Sequence, residues 1–436
     1  MTSEKVIHDP LHGSIAVSGI FHKILSRHEM RRLHNVKQLG MANTVFPGAN
    51  HTRLEHSLGT YHLAGRMGKA ISLSDDDLRH ICMAAMLHDV CHLPFSHNLS
   101  ELFENRTGID HMELARSLIK GTISTYSERD EDLLGGTGTI AELLEDDGIS
   151  SDLVCDLIAN PRSAVGNLDS FMQDGAKRSF FPSRDYLHQI IHGPVDADQM
   201  DYLLRDSHYT GVAHGSIDTE RLLTQMKVHN NTIVLERGGV VAAEGLMVSR
   251  SLMYTSVYLN KTVRIAEMML SKAVELSDTD MGTLHLMDDP ELRYELIKQG
   301  SKSSEIMRSL MHRKLYKKAF SAYSIDLDED QIHKIVKYSK YKDKKRLEGE
   351  ISEEAGVDYS EVNVDIPSRS SLLSNIKIGK TDVSIFYDGR VKPITRISPV
   401  AKALQSRDTF DWAITVSSPE MHKERVRKAA ESILSL

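Results

Sequence analysis

The strongest constraint on this chain is a stripe of apolar residues at helical spacing that ends in two polar side chains. Leu78, Ile81 and Ala85 recur every three to four residues and predict the buried face of a helix. The next positions on that face are His88 and Asp89. Polar groups on a buried face must be paired or must bind a metal ion, because an unsatisfied buried group is costly. A purely structural ion pair would satisfy an isolated His–Asp pair equally well.

Sequence signals also set the limits of this helix. Ser74 followed by three aspartates is typical of an N-cap and an acidic first turn. Pro94 is expected to stop the helix, because proline removes a backbone donor and clashes with the preceding turn.

Histidine is unusually concentrated in one part of the chain. Eight of the 22 histidines lie between His51 and His111, which indicates a single site. His92 follows His88 by one helical turn, and His56 lies near the start of the preceding predicted helix. On its own, His56 would more often be an ordinary core or surface residue than a ligand.

A third polar element lies farther along the chain. Asp198, Tyr202 and Asp206 are spaced at i, i+4 and i+8, so they share one face of a predicted helix. A solvated acidic face would have the same spacing. Leu203 and Leu204 lie between the acidic residues, and they favour the wall of a cleft instead.

Together, these elements supply two histidines and two carboxylates: His56, His88, Asp89 and Asp198. Mixed imidazole and carboxylate ligands suit Fe, Mn, Zn, Ni or Co, and suit Mg less well. We therefore predict one divalent metal ion per site. An octahedral ion with four protein ligands keeps positions for water and a substrate oxygen, so it can activate water and polarise a phosphoryl group.

Charge and cysteine content exclude several other classes of protein. The 53 Lys and Arg residues and 61 Asp and Glu residues give a formal net charge of −8, which argues against a broad nucleic-acid-coating surface. Three cysteines without a CxxC pair exclude a disulfide scaffold and favour a reduced, cytoplasmic protein. The sequence has no apolar run of the ~18 residues that a membrane span needs, and its N-terminus does not resemble a signal peptide. Residues 135–138 are glycine-rich but lack the Lys-Ser/Thr of a P-loop.

The remaining sequence predicts a mostly α protein with few strands. Apolar spacing predicts helices over 54–71, 111–119, 196–205, 244–276, 290–297 and 304–319. Alternating patterns predict one hairpin from 6–7 and 14–17 and another from 232–236 and 240–241. In a small C-terminal α/β unit we expect strands at 362–366, 375–378, 383–387 and 411–416, with helices over 399–405 and 420–434.

We divide the chain into four parts on this basis. Residues 1–50 form an N-terminal hairpin with helices, 51–215 form the metal-binding core, 216–345 form a helical extension and 346–436 form the α/β unit. The Lys- and Tyr-rich residues 334–346 are interpreted as a solvated linker or a basic patch, and 131–139 as a mobile loop. The Met-rich residues 245–270 are either a subunit interface or ordinary core.

The order His…His-Asp…Asp resembles the signature of the HD-domain metal-dependent phosphohydrolases. Five motifs resemble, in order, the deoxynucleotide triphosphohydrolase branch of that family: KVIHDPLHGSI (5–15), VKQLG (36–40), VFPGANHTRLEHSLG (45–59), LHDVCHLPFSH (87–97) and DADQMDYLLRDSHYTGV (196–212). The likeness covers residues 5 to about 215, and more loosely extends to about 320. It implies an all-helical core, cleavage of a dNTP to deoxynucleoside and inorganic triphosphate, and a homodimer or homotetramer.

The resemblance also implies roles for individual residues. The metal ligands are His56, His88, Asp89 and Asp198. The residues expected at the phosphates are His92, His97, His111 and Arg53, with one histidine as general acid to the leaving 5′-oxygen and Arg53 at the α-phosphate. The residues expected around the deoxyribose are Gln38, Leu39, Tyr202 and Asp206. This fits the chemistry, because cationic and proton-donating groups must neutralise a tetraanionic phosphate chain.

The chain departs from that branch at several positions. Ser26, Arg31 and His34 replace the residues that hold an activating guanine nucleotide, and Ser100 replaces an expected aspartate. The arginine-rich phosphate contacts expected in 253–264 are reduced to Lys261 and Arg264. Two alternatives therefore stay open. One is an HD-type phosphomonoesterase or phosphodiesterase acting on another nucleotide, and the other is a slow-turnover nucleotide-sensing or nucleic-acid-binding protein.

Overall fold

The computed structural model describes residues 4–123, 126, 130–134, 138–159, 185–367, 383–405 and 412–436. This part of the chain is predominantly helical, as predicted. Its α-helices are α1 (Gly19–Leu25), α2 (His28–Arg32), α3 (Arg53–Ala70), α4 (Asp75–Leu87), α5 (Ser100–Thr107), α6 (His111–Lys120), α7 (Glu131–Leu134), α8 (Ile140–Asp146), α9 (Ser151–Ile158), α10 (Asp185–His192), α11 (Ala197–Thr210), α12 (Thr219–Thr224), α13 (Val240–Met253), α14 (Lys261–Glu275), α15 (Asp289–Lys298), α16 (Lys302–Met311), α17 (Glu329–Val336), α18 (Tyr341–Ala355), α19 (Pro399–Gln405) and α20 (Lys423–Leu434). Across the described ranges, no helix has the length and apolar character needed to cross a membrane.

The strands form small sheets at the edges of the helical body. They are β1 (Lys5–Asp9), β2 (Gly13–Val17), β3 (Met226–His229), β4 (Thr232–Glu236), β5 (Lys317–Tyr323), β6 (Asn363–Asp365), β7 (Ser384–Tyr387), β8 (Arg390–Pro393) and β9 (Trp412–Ser418). β1 and β2 form the predicted N-terminal hairpin, and the other sheets have the orders β3-β4-β7-β8 and β5-β9-β6. β4 and β7 pair in parallel, while the remaining neighbours are antiparallel.

The main hydrophobic core is built around α3 and α4. Leu63 and Met67 of α3 and Ile81 of α4 are fully buried, and Met200 brings α11 into the same core. These are the apolar positions whose helical spacing the sequence displays. Packing α3, α4 and α11 together brings the first turns of α3 and α11 to the end of α4.

A second hydrophobic core lies in the C-terminal part of the chain. It is formed by β5, β6 and β9 against α18 and α20, with Ile351, Val416 and Val426 fully buried. β7 and α19 belong instead to the main core, through Ile385 and Ala401. The proposed division of the chain at residue 346 stays a prediction, although β5 already contributes to the second core.

Two predicted helices prove to be interrupted. The helix predicted over 244–276 is in fact α13 and α14, separated by the π-helical turn Tyr254–Tyr258, because Asn260 caps α14 by accepting hydrogen bonds from the amides of Thr262 and Val263. The helix predicted over 304–319 ends at Met311, and β5 follows. Arg313 has a φ of 54°, a left-handed value that a right-handed α-helix does not contain. β5 then pairs with β9, about a hundred residues farther along the chain.

The end of α4 and the turn of the second hairpin also differ from the prediction. α4 ends at Leu87, before Pro94, because His88 Nδ1 hydrogen-bonds the Ala85 carbonyl at 2.8 Å in competition with the helix backbone. The second hairpin pairs β4 with β3, whereas residues 240–241 begin α13. Its turn is Asn230-Asn231, with φ of 48° and 61°, the positive values that tight hairpin turns require.

The lysine-rich stretch 334–346 is not a solvated linker. It spans the end of α17 and the start of α18, where Lys344 pairs with Glu101 and Lys345 pairs with Glu275 and Glu348. Residues 131–134 of the expected mobile loop form α7, whereas 135–137 lie outside the described residues. The strand predicted at 375–378 and residue 411 of another also lie outside them.

We predict that Glu348→Gln destabilises the protein by about 3–5 kcal/mol, because it removes the nearest counter-ion of a buried ammonium group, whose next acidic neighbour, Glu275, lies 4.0 Å away. Lys272 is 0% exposed and Glu348 is 1% exposed, and their ion pair joins α14 to α18. The measurement is urea unfolding followed by circular dichroism. The control is Glu295→Gln, which removes a pair to the half-exposed Lys298 and is expected to cost less than about 1 kcal/mol. Equal midpoints for the two variants would contradict the prediction.

Candidate metal centre

The predicted metal ligands converge where α3, α4 and α11 meet. Nε2 of His56 lies 3.0 Å from Oδ1 of Asp198, and Nε2 of His88 lies 3.8 Å from the same oxygen. The Asp89 carboxylate lies 3.4 Å from His88 Nε2 through Oδ1 and 3.7 Å from His56 Nε2 through Oδ2. The structure therefore brings together all four residues that the sequence analysis selected.

Helix caps fix the positions of these side chains. Thr52 and Glu55 form a reciprocal capping box that starts α3, so His56 lies in its first turns. Asp196 caps α11 by accepting a hydrogen bond from the amide of Gln199, which fixes the turn that carries Asp198. His56 and Asp198 thus lie at capped helix starts, whereas His88 and Asp89 directly follow the end of α4.

The hydrogen bonds of the two histidines determine which nitrogen faces the centre. Nδ1 of His56 donates to Oδ2 of Asp201 at 2.7 Å, and Nδ1 of His88 donates to the carbonyl of Ala85 at 2.8 Å. A metal ion held by these rings would therefore bind Nε2 of each, which is buried and faces the carboxylates. Without an ion, burial of His56 is outweighed by its hydrogen bonds to Asp198 and Asp201, which raise the pKa of His56 to about 10. A divalent cation at the centre would take the place of the proton on His56 Nε2, so the donor set fits a metal ion.

The carboxylates are held in their anionic form. Burial opposes ionisation of Asp89, but the Arg53 guanidinium and the neighbouring histidines outweigh it and hold the pKa of Asp89 well below its usual range. For Asp198, burial is likewise outweighed by the hydrogen bond and charge of His56, so its pKa is lowered. Anionic carboxylates beside imidazole nitrogens that can give up a proton to a bound cation are what a metal ion needs.

A second layer of residues orients His56, and sequence reasoning did not identify it. The Asp201 carboxylate, 0% exposed, accepts hydrogen bonds from His56, from His12 at 2.7 Å and from Arg205 at 2.8 and 2.9 Å. Gly59 makes room for this group, since a Cβ at residue 59 would lie 1.8 Å from the Asp201 carboxylate. A glycine one turn after His56 was the sequence signal of this close approach.

Three further histidines lie beside the four ligands. The ring of His92 is 4.6 Å from that of His97 and 4.7 Å from that of His111, measured between centroids. Burial, then the charge of Arg53, lowers the pKa of His92, and burial also lowers the pKa of the half-buried His111, whereas His97 is exposed. The imidazoles of His92 and His111 are therefore neutral in the free site.

Arg53 is held within the centre by several contacts. Its Nη1 donates to Asp89 Oδ2 at 2.7 Å, and its Nε donates to Ser96 Oγ at 2.9 Å. Arg53 therefore orients one of the candidate ligands, and its contact with an α-phosphate stays a prediction.

The centre opens into a cavity of about 590 Å³. His56 is 1% exposed and lies behind the wall of this cavity. The other predicted site residues all line it: Gln38, Leu39, Arg53, His88, Asp89, His92, His97, His111, Asp198, Tyr202 and Asp206. The fold thus gathers them at one cavity, while their individual roles stay predictions.

The cavity wall also contains residues that the sequence analysis missed. Arg250 of α13 lines it together with Tyr254 and Tyr258 of the π-helical turn. The Nε and Nη1 atoms of Arg250 are shielded from solvent and have no hydrogen-bond partner among the described residues. The Tyr258 hydroxyl donates to Asp206 at 2.7 Å. Residues 250, 254 and 258 are four positions apart, so the sequence already indicated that they share one helix face. The prediction of one continuous helix over 244–276 obscured this signal.

Arg264, one of two expected phosphate contacts, is already paired with acidic groups. It donates to Asp365 at 2.7 Å and to Glu267 at 2.9 Å, at the rim of the cavity. Burial, moderated by Arg264, raises the pKa of Glu267 to about 7. The other expected contact, Lys261, is exposed and lines a separate cavity of about 320 Å³.

Comparisons with known proteins agree with this architecture. The sequence matches the HD domain over residues 53–160 and the HD associated region over residues 217–436. It is 31% identical to an uncharacterized protein of Methanocaldococcus jannaschii, over 98% of this chain and 81% of that protein. It is also 31% identical to an uncharacterized protein of Bacillus subtilis, but the alignment spans only 55% of that relative's length.

Two other similar proteins are named for an enzymatic activity. The chain is 25% identical to the human deoxynucleoside triphosphate triphosphohydrolase SAMHD1, over 99% of this chain and 70% of that enzyme. A solved phosphohydrolase structure from Bacteroides thetaiotaomicron has the same fold, with a TM-score of 0.67, 22% identity and coverage of 96% of this chain and 100% of that one. The chain belongs to the HD-domain phosphohydrolases, a metal-dependent family, and it carries the associated C-terminal region.

We predict that Asp201→Asn weakens Mn²⁺ binding about 10–100-fold, because the amide no longer fixes the tautomer and orientation of His56. Isothermal titration calorimetry of the metal-free protein measures this, with circular dichroism to verify folding. Asp147→Asn, at a half-exposed surface carboxylate, is the matched control and is expected to bind like the wild type. A folded Asp201→Asn protein with wild-type affinity would show that Asp201 does not support the centre.

Proposed function

We propose that the protein hydrolyses deoxynucleoside triphosphates to deoxynucleoside and inorganic triphosphate. The observation that carries the proposal is a set of buried polar atoms, without directed hydrogen bonds among the described residues, in the wall of the metal-side cavity. They include Gln38 Oε1, Asn98 Nδ2, His88 Nε2 and two guanidinium nitrogens of Arg250. Unsatisfied buried groups cost free energy, so this wall favours a polar ligand that pairs with them.

The charges at the cavity favour a phosphate chain. Arg250 is a partly buried cation, and its Nε–H and Nη1–H groups, which have no partner among the described residues, can donate to phosphate oxygens. His92, His97 and His111 lie together on the metal side, where a bound polyanion would raise their pKa values. One of these imidazoles then holds the proton that passes to the leaving 5′-oxygen. When bound, the divalent ion activates water and polarises the α-phosphoryl group.

The opposite side of the cavity suits a deoxyribose. Leu39 and Tyr202 provide apolar surface there, and Asp206 provides an acceptor for a sugar hydroxyl. Asp206 is held in place by Nε2 of His51 at 2.8 Å and by the hydroxyl of Tyr258 at 2.7 Å. We propose that Leu39 and Tyr202 exclude a 2′-hydroxyl, so that deoxynucleotides are preferred over ribonucleotides.

The relatives support this substrate class. The human relative is named as a deoxynucleoside triphosphate triphosphohydrolase and aligns over 99% of this chain. A homodimer or homotetramer and a cytoplasmic location remain part of the proposal. The paired lysines of α18 give no support to a nucleic-acid-binding surface at 334–346.

A second candidate is an HD-type phosphoesterase for a nucleotide with fewer phosphates. It is favoured by Arg264, whose charge is neutralised by Asp365 and Glu267 at the cavity rim. The two candidates differ in their products, since one releases inorganic triphosphate and the other releases orthophosphate.

We expect the Mn²⁺-loaded protein to convert dNTPs to deoxynucleoside and inorganic triphosphate, and to act on NTPs at least about tenfold more slowly. Anion-exchange chromatography resolves the phosphate species, with a second nucleotide added in parallel to detect activation. Asp198→Ala is expected to remove activity, whereas Asp152→Ala, at an exposed carboxylate of α9, is expected to keep it. Orthophosphate as the product would favour the second candidate. No turnover by a metal-loaded protein would contradict both.

We also expect Arg250→Ala to lower kcat/KM for dNTPs by about a hundredfold, because the variant loses a charge-assisted hydrogen bond to the phosphate chain. Arg250→Lys keeps the charge but loses the planar donor arrangement, and is expected to recover part of that loss. Steady-state kinetics on folded variants measures this. If Arg250→Ala has wild-type kcat/KM, Arg250 does not contact the substrate.

A further inference from the structure

Asp289 is a buried carboxylate that the proposed reaction does not use. It is 1% exposed and is the first residue of α15, but the cap of that helix is Asp288, which accepts a hydrogen bond from the amide of Glu291 at 2.9 Å. The Asp289 carboxylate bonds to two other parts of the chain instead. Its Oδ1 accepts from the amide of Phe95 at 2.6 Å, and its Oδ2 accepts from the amide of Lys37 at 3.1 Å.

Asp289 thereby joins two segments that both line the cavity of the metal centre. Residues 37–39 are called the sugar-side segment here, because they carry Leu39 at the proposed deoxyribose position. Residues 95–98 are called the phosphate-side segment, because they carry His97. Asp289 itself does not line the cavity, so it can act on a bound substrate only through these segments.

The phosphate-side segment has a strained backbone at the point that Asp289 holds. Phe95 and Ser96 have φ of 59° and 61°, left-handed values that non-glycine residues keep only where neighbouring contacts hold them. The hydrogen bond from the Phe95 amide to Asp289 is a contact of this kind. Ser96 also donates to the carbonyl of Lys37 at 2.6 Å. A Cβ at Gly40 would lie only 2.7 Å from the Phe95 carbonyl oxygen, so the two segments approach each other closely.

Arg32 attaches the preceding stretch of chain to the residues that lead into α15. Its Nη1 donates to the Met287 carbonyl at 2.8 Å, and its Nη2 donates to the carbonyls of Val90 and His92 at 3.2 and 2.6 Å. The chain between α4 and the phosphate-side segment is thus held by residues 287–289 at more than one point, although these residues are distant in the sequence.

The charge of Asp289 strengthens its hold on the two segments. Burial raises the pKa of Asp289 to about 6, against the effect of its two backbone hydrogen bonds, so the carboxylate is ionised at neutral pH. An anionic carboxylate offers two acceptor oxygens and binds amide groups more strongly than a neutral group does. An asparagine would keep the size of the side chain, but it would offer one acceptor and turn an NH₂ group towards the second amide.

We propose that Asp289 is a positioning residue for the reaction, which holds the sugar-side and phosphate-side segments at the separation that a deoxynucleotide requires. This inference rests on the proposed function. Leu39 excludes a 2′-hydroxyl only if it stays close to the sugar, and His97 reaches the phosphates only if its segment keeps the left-handed turn. Small displacements have large effects on rate, since about 1 Å can reduce a rate a hundredfold.

A purely structural role for Asp289 predicts a different behaviour. A variant that is only less stable contains fewer folded molecules, so its rates with dNTPs and NTPs fall by the same factor and their ratio is unchanged. Loss of positioning changes the ratio, because the exclusion of a 2′-hydroxyl depends on where Leu39 lies. The ratio of kcat/KM for dNTPs to kcat/KM for NTPs therefore separates the two roles.

Asp289→Asn is the test variant, and Asp288→Asn is its matched control on the neighbouring residue. In the Mn²⁺-loaded full-length protein, Asp289→Asn is expected to lower kcat/KM for dNTPs about tenfold to a hundredfold, and to lower the preference for dNTPs over NTPs at least about threefold. Its affinity for Mn²⁺, measured by calorimetry, is expected to stay at the wild-type value. Asp288→Asn is expected to match the wild type, because asparagine caps a helix as well as aspartate does.

Hydrogen–deuterium exchange followed by mass spectrometry tests the contacts without relying on activity. Peptides that cover the two segments are expected to exchange slowly in the wild type and about tenfold faster in Asp289→Asn, because each amide loses a charge-assisted hydrogen bond. Peptides from α20, which belongs to the second hydrophobic core, are expected to exchange at the same rate in both proteins.

Rapid exchange of both segments in the wild type would overturn the inference, even if the variant fails to fold. A folded Asp289→Asn protein with the wild-type ratio of dNTP to NTP hydrolysis would also contradict it. So would a parallel loss of Mn²⁺ binding, which would place the effect at the metal centre. If the wild type hydrolyses no dNTP but exchange in both segments depends on Asp289, the proposed function fails and the joining of the two segments by Asp289 stands.

Discussion

The Asp201 carboxylate connects three segments that are distant in the sequence. It accepts hydrogen bonds from His12 in the turn of the N-terminal hairpin, from His56 on α3 and from Arg205 on its own helix, α11. Arg205 in turn donates to Asp9 at the end of β1 at 2.9 Å. Buried charges persist only when they are paired in this way, because their desolvation is otherwise too costly. The orientation of His56, and with it the geometry of the metal centre, depends on this network.

This network holds His56 beside the other charged and titratable groups of the site, and these groups are distributed unevenly around the cavity. The carboxylates of Asp89 and Asp198 have lowered pKa values, while burial keeps His92 and His111 neutral. Arg250, in the lining of the same cavity, offers unshared donors. Groups left unsatisfied in this way lower stability, and proteins retain such groups mainly where a ligand pairs with them. The proposed metal ion and anionic substrate would together satisfy these groups.

Local signals predicted most helices near the site but not the connections between elements. The cap at Ser74, the stripe of α4 and the N-terminal hairpin are visible in short windows of sequence, and the structure has them. The pairing of β5 with β9 depends on contacts between residues about a hundred positions apart, so residues 312–319 were wrongly predicted as helix. The interruption at Tyr254–Tyr258 was missed because the apolar spacing continues through it, although Asn260 supplies a local capping signal.

The sequence by itself determined the chemistry that this protein can support. A His-Asp pair at the end of a buried stripe, with His56 and Asp198, defines a donor set that needs no tertiary information to recognise. Only the tertiary structure decided what surrounds that set. Asp201 behind His56, Arg250 in the cavity lining and Cys91 beside His111 come from long-range packing of α3, α11, α13 and α6. Helical spacing specifies which face a residue occupies, whereas the partner of that face is set by how the helices pack.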